Sequence, residues 1–328
     1  MKYFSRTMLF ALSCSVFAQV TAANAETIRV AHADNEAHPK HLAFLRFVEK
    51  VSELSGGDLT VEVFPSGQLG GERELVEALQ TGAVQITSVS NGVMSAFSDQ
   101  FMLLDIPFLF SNAEQARSAI DASQDELFVD LDAIGLHGLA IWEQGFRELS
   151  SSAPVESVSD LVGFKVRTME APLHVAAWKA AGANPTPMSW GQVYPSLQTG
   201  VIDGQENPLY VVTQEKLFEV QKNVTLTHHI YDAMPVVADG NWWNGLPDAD
   251  KNIITEAMSE ATEYERSLVG EEVENARAEL AGLGVTVAEF PEEEREKLKA
   301  SAQQTVVETV AAKLGKNTVD SWLSKVGN

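Results

Sequence analysis

Cysteine is almost absent: Cys14 is the only one in 328 residues. One thiol forms no internal disulfide and builds no thiolate zinc site. Such a composition suits a compartment where stray thiols oxidise. Positive charge is also scarce. Lysine and arginine number 23 against 46 aspartates and glutamates, a net charge of −23. An acidic surface repels nucleic acid, so no nucleic-acid partner is expected. Beyond the N-terminus no apolar run is long enough for a transmembrane helix. Four catalytic or nucleotide signatures are missing: the Gly-x-Ser-x-Gly elbow, His-Glu-x-x-His, the Gly-x-x-x-x-Gly-Lys phosphate loop and Gly-x-Gly-x-x-Gly. No cofactor is implied.

The N-terminus does carry a signal. "MKYFSRTMLFALSCSVFAQVTAANA" has Lys2 and Arg6, an apolar run from Met8 to Val20, and Ala23-Asn24-Ala25. This is the pattern of a secretory signal peptide over residues 1–25. Cleavage would leave a chain starting at Glu26, with no cysteine, and move the net charge from −23 to −25 by removing Lys2 and Arg6. Export from the cytoplasm is expected.

The remainder alternates strand and helix patterns. "ETIRVAH" reads as a strand. A helix opens at Pro39, with Leu42, Leu45, Val48, Val51 and Leu54 recurring, and stops at Gly56-Gly57. "LTVEVFP" alternates as a strand, "GERELVEALQTG" is helical, and "AVQITSV" is the next strand. After about residue 145 the pattern returns: "GFKVRTM", "APLHVAAWKAAG", an extended "NPTPM", the helical "SWGQVYPSLQTG", then "VIDGQENP". "VTLTHHI" and "MPVVADG" read as two further strands. From Pro247 to about Leu280 one long acidic helix is expected, with Ile253, Ile254, Ala257, Ala261 and Leu268 inward. This predicts an α/β fold of mostly parallel sheet flanked by helices.

Leu-Gln-Thr-Gly occurs twice, at Leu79–Gly82 and Leu197–Gly200, each time between a helix and a strand. A chain with two similar lobes facing a cleft would repeat such a joint. In open α/β sheets ligands bind beyond the carboxyl ends of the strands. That places Ser88 to Asn91 on one side and Gln205 to Asn207 on the other.

Few residues in these places could carry chemistry. Arg147 in "GFRELSS" and Arg167 in "FKVRTM" lie at predicted strands, where a guanidinium fork pairs with a carboxylate; ordinary ion pairs are the alternative. His32, His38 and His41 lie near Asp34 and Glu36, but their spacing matches no zinc or iron site, so no metal is expected and cap or loop roles fit better. His228 and His229 are adjacent in a strand and point to opposite faces. Among the tryptophans, Trp190, at a helix start, is the candidate binding wall.

Taken together, "FPSGQLGGERELVEALQTGAVQI", "PFLF", "GFRELSS", "DLVGFKVRTMEAP" and "MSWGQVYPSLQTGVIDGQENP" resemble the DctP-type solute-binding proteins of tripartite ATP-independent periplasmic (TRAP) transporters. The resemblance covers nearly the whole chain after residue 25. It implies two α/β lobes joined by crossing strands near residues 145 and 232 and by the long helix. Lobe I would hold residues 26–145 and about 233–272, and lobe II residues 146–232 and about 273–328. It also implies a small organic acid as ligand, either a sugar acid, another hydroxylated carboxylate or a C4-dicarboxylate. Delivery would be to small and large membrane subunits. By resemblance Arg167 pairs with the ligand carboxylate, Arg147 is a second cationic contact, Asn207 donates from its amide and Trp190 packs on the ligand. First-lobe contacts would come from Ala33 to His38, including Asn35 and His38, and from Ser88 to Asn91, including Ser90 and Asn91. Neither stretch has a lysine or arginine, which favours a hydroxylated monocarboxylate. Two alternatives remain open: a ligand-sensing subunit, or a secreted hydrolase or lyase using His32, His38 or a carboxylate near Glu206.

Overall fold

The computed structural model describes residues 27–326, so the expected signal peptide lies outside the described residues. The first half runs β1 (Thr27–Ala31), α1 (Pro39–Ser55), β2 (Thr60–Phe64), α2 (Glu72–Gln80) and β3 (Ile86–Ser88). In α1 the buried face is Ala43, Phe44, Phe47 and Val51, not the expected Leu42–Leu45–Val48 set. Leu45 is exposed. The two phenylalanines have the larger apolar area to hide, and they rotate the helix toward themselves.

The second half runs β4 (Leu136–Ser151), β5 (Val166–Thr168), β6 (Thr186–Pro187), β7 (Gly204–Asn207), β8 (Asn223–Asp239) and β9 (Thr286–Glu289). The sheet order is β2-β1-β3-β8-β4-β7-β5-β6, with β9 added on β8. Each half repeats one plan. Three parallel strands, β2-β1-β3 or β6-β5-β7, end against a long antiparallel strand, β8 or β4.

The repeated joint is the seam of that plan. Gly82 and Gly200 both take the left-handed backbone, with φ of 73° and 70°. A side chain would be strained there. Four residues after each glycine the chain enters the strand next to the long partner, β3 or β7.

One expectation about the strands changes. The segments read as separate strands, "VTLTHHI" and "MPVVADG", are one 17-residue strand, β8. Tyr231 and Asp232 between them broke the apolar pattern, yet both are buried in the continuous ladder. Each half keeps the expected mostly parallel arrangement, and the antiparallel β4 and β8 at the centre make the joined sheet mixed. The two expected crossing points meet there: Gly145 of β4 and Asp232 of β8 are register partners beside a bulge. Gly145 has φ 97°, a turn of the backbone that glycine alone takes without strain.

The long helix spans Asp248–Gly282, 35 residues, or about 52 Å. Its buried residues include Ile254, Ala257, Ala261, Val269, Ala276 and Leu280; Val269, not Leu268, takes the inward position. It packs on α1, on β4 and on the helix Leu209–Gln214, so it runs along both halves. Helices Glu292–Leu314 and Lys316–Lys325 close the chain. No helix of the described residues is long and apolar enough to cross a membrane.

Candidate functional site

The strand ends converge on a small cavity with walls from both halves. Arg167, Trp190 and Asn207 line it from the second half, and Asp34, Glu72 and Ser90 from the first. Gln144 enters from the crossing strand β4. The cavity measures about 20 Å³, roughly the room for a single water. A larger molecule enters only if the walls part.

Arg167 sits on β5, and its guanidinium is held at one edge. Nε and one Nη2 hydrogen donate to the Met188 carbonyl at 3.1 and 2.9 Å. No acceptor among the described residues takes Nη1, so one donor edge stays free. The Trp190 ring lies 5.4 Å from the guanidinium, within cation–π range. Burial, and then the charge of Arg147, lower the Arg167 pKa to about 10, so it stays cationic at neutral pH. Asn207 ends β7, with Nδ2 donating to Gln205 Oε1 at 2.6 Å. A fixed fork under an aromatic face, beside an amide, suits a carboxylate.

The first half contributes acceptors. Glu72 opens α2, and its Oε1 accepts from the backbone and hydroxyl of Ser90 at 2.9 and 3.1 Å. Asp34 lies just after β1, with Oδ2 accepting from Lys40 Nζ at 2.7 Å. Lys40 is fully buried and is also 3.7 Å from Glu72. Burial would raise the Asp34 pKa, but Lys40 and the nearby histidines outweigh it and hold the carboxylate far below its usual range.

Four expected contacts lie elsewhere. Arg147 does not line the cavity: it is fully buried, clamped by the Glu206 side chain and carbonyl and by Asp232. Burial opposes that charge, yet the two carboxylates raise its pKa above the ordinary arginine value. A guanidinium so engaged has little left for a solute. His38 is the N-cap of α1, its Nδ1 accepting from the Lys40 N–H at 3.1 Å. Burial, with the Lys40 charge adding to it, lowers its pKa to about 4 against the pull of Asp34, so it is neutral and no substitute cation. Asn35 reaches across to the other half and donates to Glu215 and to the Gln214 carbonyl. Asn91 donates to the Phe101 carbonyl and to Asp105 at 2.6 Å, in a polar cluster with Ser95 and His174.

His228 and His229 point to opposite faces, as expected of neighbours in a strand. His228 turns outward to Glu148 and His229 inward to Glu206. His32 contacts His41 at 3.0 Å. Among the described residues no three of the His, Asp, Glu or Cys side chains are grouped to hold a metal. Sequence reasoning missed Glu72, Gln144 and Lys40. Their only local signals are an acid in a first helical turn, a position one residue before the Gly145 bulge, and a lysine at a helix start.

The family model for bacterial extracellular solute-binding protein, family 7 (DctP), matches residues 30–313. The chain belongs to this family. The 2,3-diketo-L-gulonate-binding periplasmic protein YiaO of Escherichia coli is 34% identical over 85% of each chain. The C4-dicarboxylate-binding periplasmic protein DctP of Rhodobacter capsulatus is 32% identical over 89% of this chain and 88% of its own. The solved sugar acid binding protein DctPAm of Advenella mimigardefordensis, in complex with galactonate, superposes with a TM-score of 0.88 at 34% identity. That alignment covers 92% of this chain and 97% of the other. The α/β fold with its mixed sheet is therefore that of the DctP family, whose members bind solutes and are not enzymes. The hydrolase alternative near Glu206 falls with this: Glu206 is buried in ion pairs with Arg147 and His229.

Proposed function

We propose that this DctP-family protein is the periplasmic subunit of a TRAP transporter, exported through a cleaved signal peptide over residues 1–25. It captures a small organic anion between two lobes and passes it to membrane subunits. Lobe I comprises residues 26–145 and about 233–272, and lobe II residues 146–232 and about 273–328. The observation that carries this reading is the free edge of Arg167 in a cavity walled from both halves. A buried anion costs several kcal/mol unless paired and hydrogen-bonded. Arg167 supplies the pairing and Asn207 a donor. Only the closed arrangement contacts the solute from both sides, so binding favours closure.

A thermal-shift screen of residues 26–328 against organic acids tests this. A solute at a hundredfold excess over its Kd should stabilise the fold by about 2.7 kcal/mol. A shift lost in Arg167→Ala supports the assignment; a shift that survives the substitution ends it.

A further inference from the structure

Resting on the proposed carboxylate site, we propose that this protein selects polyhydroxylated monocarboxylates and rejects dicarboxylates, and that Glu72 is the discriminating residue. The relatives' solutes span both classes, galactonate and diketogulonate on one side and C4-dicarboxylates on the other. The charges around the cavity separate them.

Among the described residues the site offers one free cation. Arg167 keeps a donor edge toward the cavity, while Arg147 is consumed by Glu206 and Asp232 behind it. Lys40 is fully buried and spent on Asp34, with Glu72 3.7 Å away, and does not line the cavity. His38 is a neutral helix cap. A second carboxylate would therefore find no cation to meet it.

It would find anions instead. Asp34 and Glu72 both line the cavity from the first half, where Arg167 lines it from the second, and Glu72 is near enough for its charge to act on Arg167. Lys40 balances one of these two charges, and one remains. Both Ser90 donors go to Glu72 Oε1, which leaves Oε2 for a solute. A carboxylate oxygen is acceptor-only, so it favours a hydroxyl that donates and repels a second carboxylate in a low-dielectric cavity. Ser90 cannot reverse this, since its hydroxyl hydrogen already points at Glu72. The solute that fits carries its acid at one end, on Arg167, and hydroxyls at the other, on Glu72 and Asp34. This is specificity by repulsion as much as by attraction.

Calorimetric titration of residues 26–328 with galactonate and with succinate tests the proposal, with Glu72→Gln as the variant. Glutamine keeps an acceptor for Ser90 and removes the charge. The wild type should bind galactonate at least about 100-fold more tightly than succinate. Glu72→Gln should narrow that gap to about tenfold or less, with galactonate weakened and succinate strengthened. Succinate binding as well as galactonate in the wild type overturns the selectivity and leaves the acid-binding site standing. An unchanged ratio in a folded Glu72→Gln, checked by its melting temperature, overturns the role of Glu72. Binding of neither acid, nor of any acid in the wider screen, overturns the carboxylate site and this proposal with it. The wild-type comparison stands even if the variant does not fold.

Discussion

The amide of Asn35 donates to the carboxylate of Glu215 at 2.9 Å, joining a loop of the first half to the end of a helix in the second. The same amide reaches the Gln214 carbonyl at 3.1 Å. These bonds bridge the two halves in a second cleft, which shares Ala33 and Trp190 with the cavity. They exist only while the walls are together. Removing them should loosen the closed state without touching the acid site. Asn35→Ala should speed solute release by roughly tenfold, about the worth of one or two net hydrogen bonds. Stopped-flow dissociation measures this; an unchanged off-rate would show that the bridge has no part in closure.

Arg167 and Arg147 should respond differently to the same change. Arg167→Ala should lower affinity for the cognate acid by 100-fold or more, on the order of a lost charged pair of about 3 kcal/mol. Arg167→Lys should recover little, because an ammonium lacks the planar fork. Titration calorimetry decides between a fork and a mere positive charge: full rescue by lysine would exclude the fork.

Arg147→Ala should act mainly on stability. It leaves Glu206 and Asp232 buried without their partner, a loss of about 3–5 kcal/mol. Urea denaturation should show the midpoint falling far more than in Arg167→Ala. Equal midpoints in the two variants would mean that the clamp seen around Arg147 is not what holds the centre of the sheet.

His174 adds a pH dependence. Its Nε2 is 3.3 Å from Asp105 and its Nδ1 3.9 Å from Glu206. Burial opposes its charge, but the two carboxylates outweigh burial and raise the pKa from 6.5 to about 9. The folded state therefore holds this proton more tightly than the unfolded state does. The contribution is complete below pH 6.5 and is lost as pH rises through about 9. It amounts to at most about 3 kcal/mol. His174→Gln should flatten the fall in melting temperature across that window. A variant that falls as steeply as the wild type would assign the effect to other groups.

Much of the fold was legible because its signals are local. Glycine after a helix, alternation in a strand and proline at a helix start act within a few residues of themselves. The repeated Leu-Gln-Thr-Gly joint marked the two matching half-sheets, and Gly82 and Gly200 do share one backbone conformation. The motif around Arg167, Trp190 and Asn207 put all three beside one cavity. The register of the crossing strands was not legible in detail, since Tyr231 and Asp232 look polar in sequence and are buried in place.

Composition and short-range pattern set the order of the elements and the sign of the net charge, and the resemblance of a set of motifs pointed to the family. Which charges are left unpaired emerges on folding. Arg147 meets Glu206 and Asp232 from 59 and 85 residues away, and Glu72 meets Ser90 from 18. No local rule links such pairs; the folding of β4, β7 and β8 against one another brings the first together, and the packing of α2 beside the end of β3 the second. Two arginines that read alike in the chain therefore end in different surroundings, one paired within the core and one with a donor edge left open.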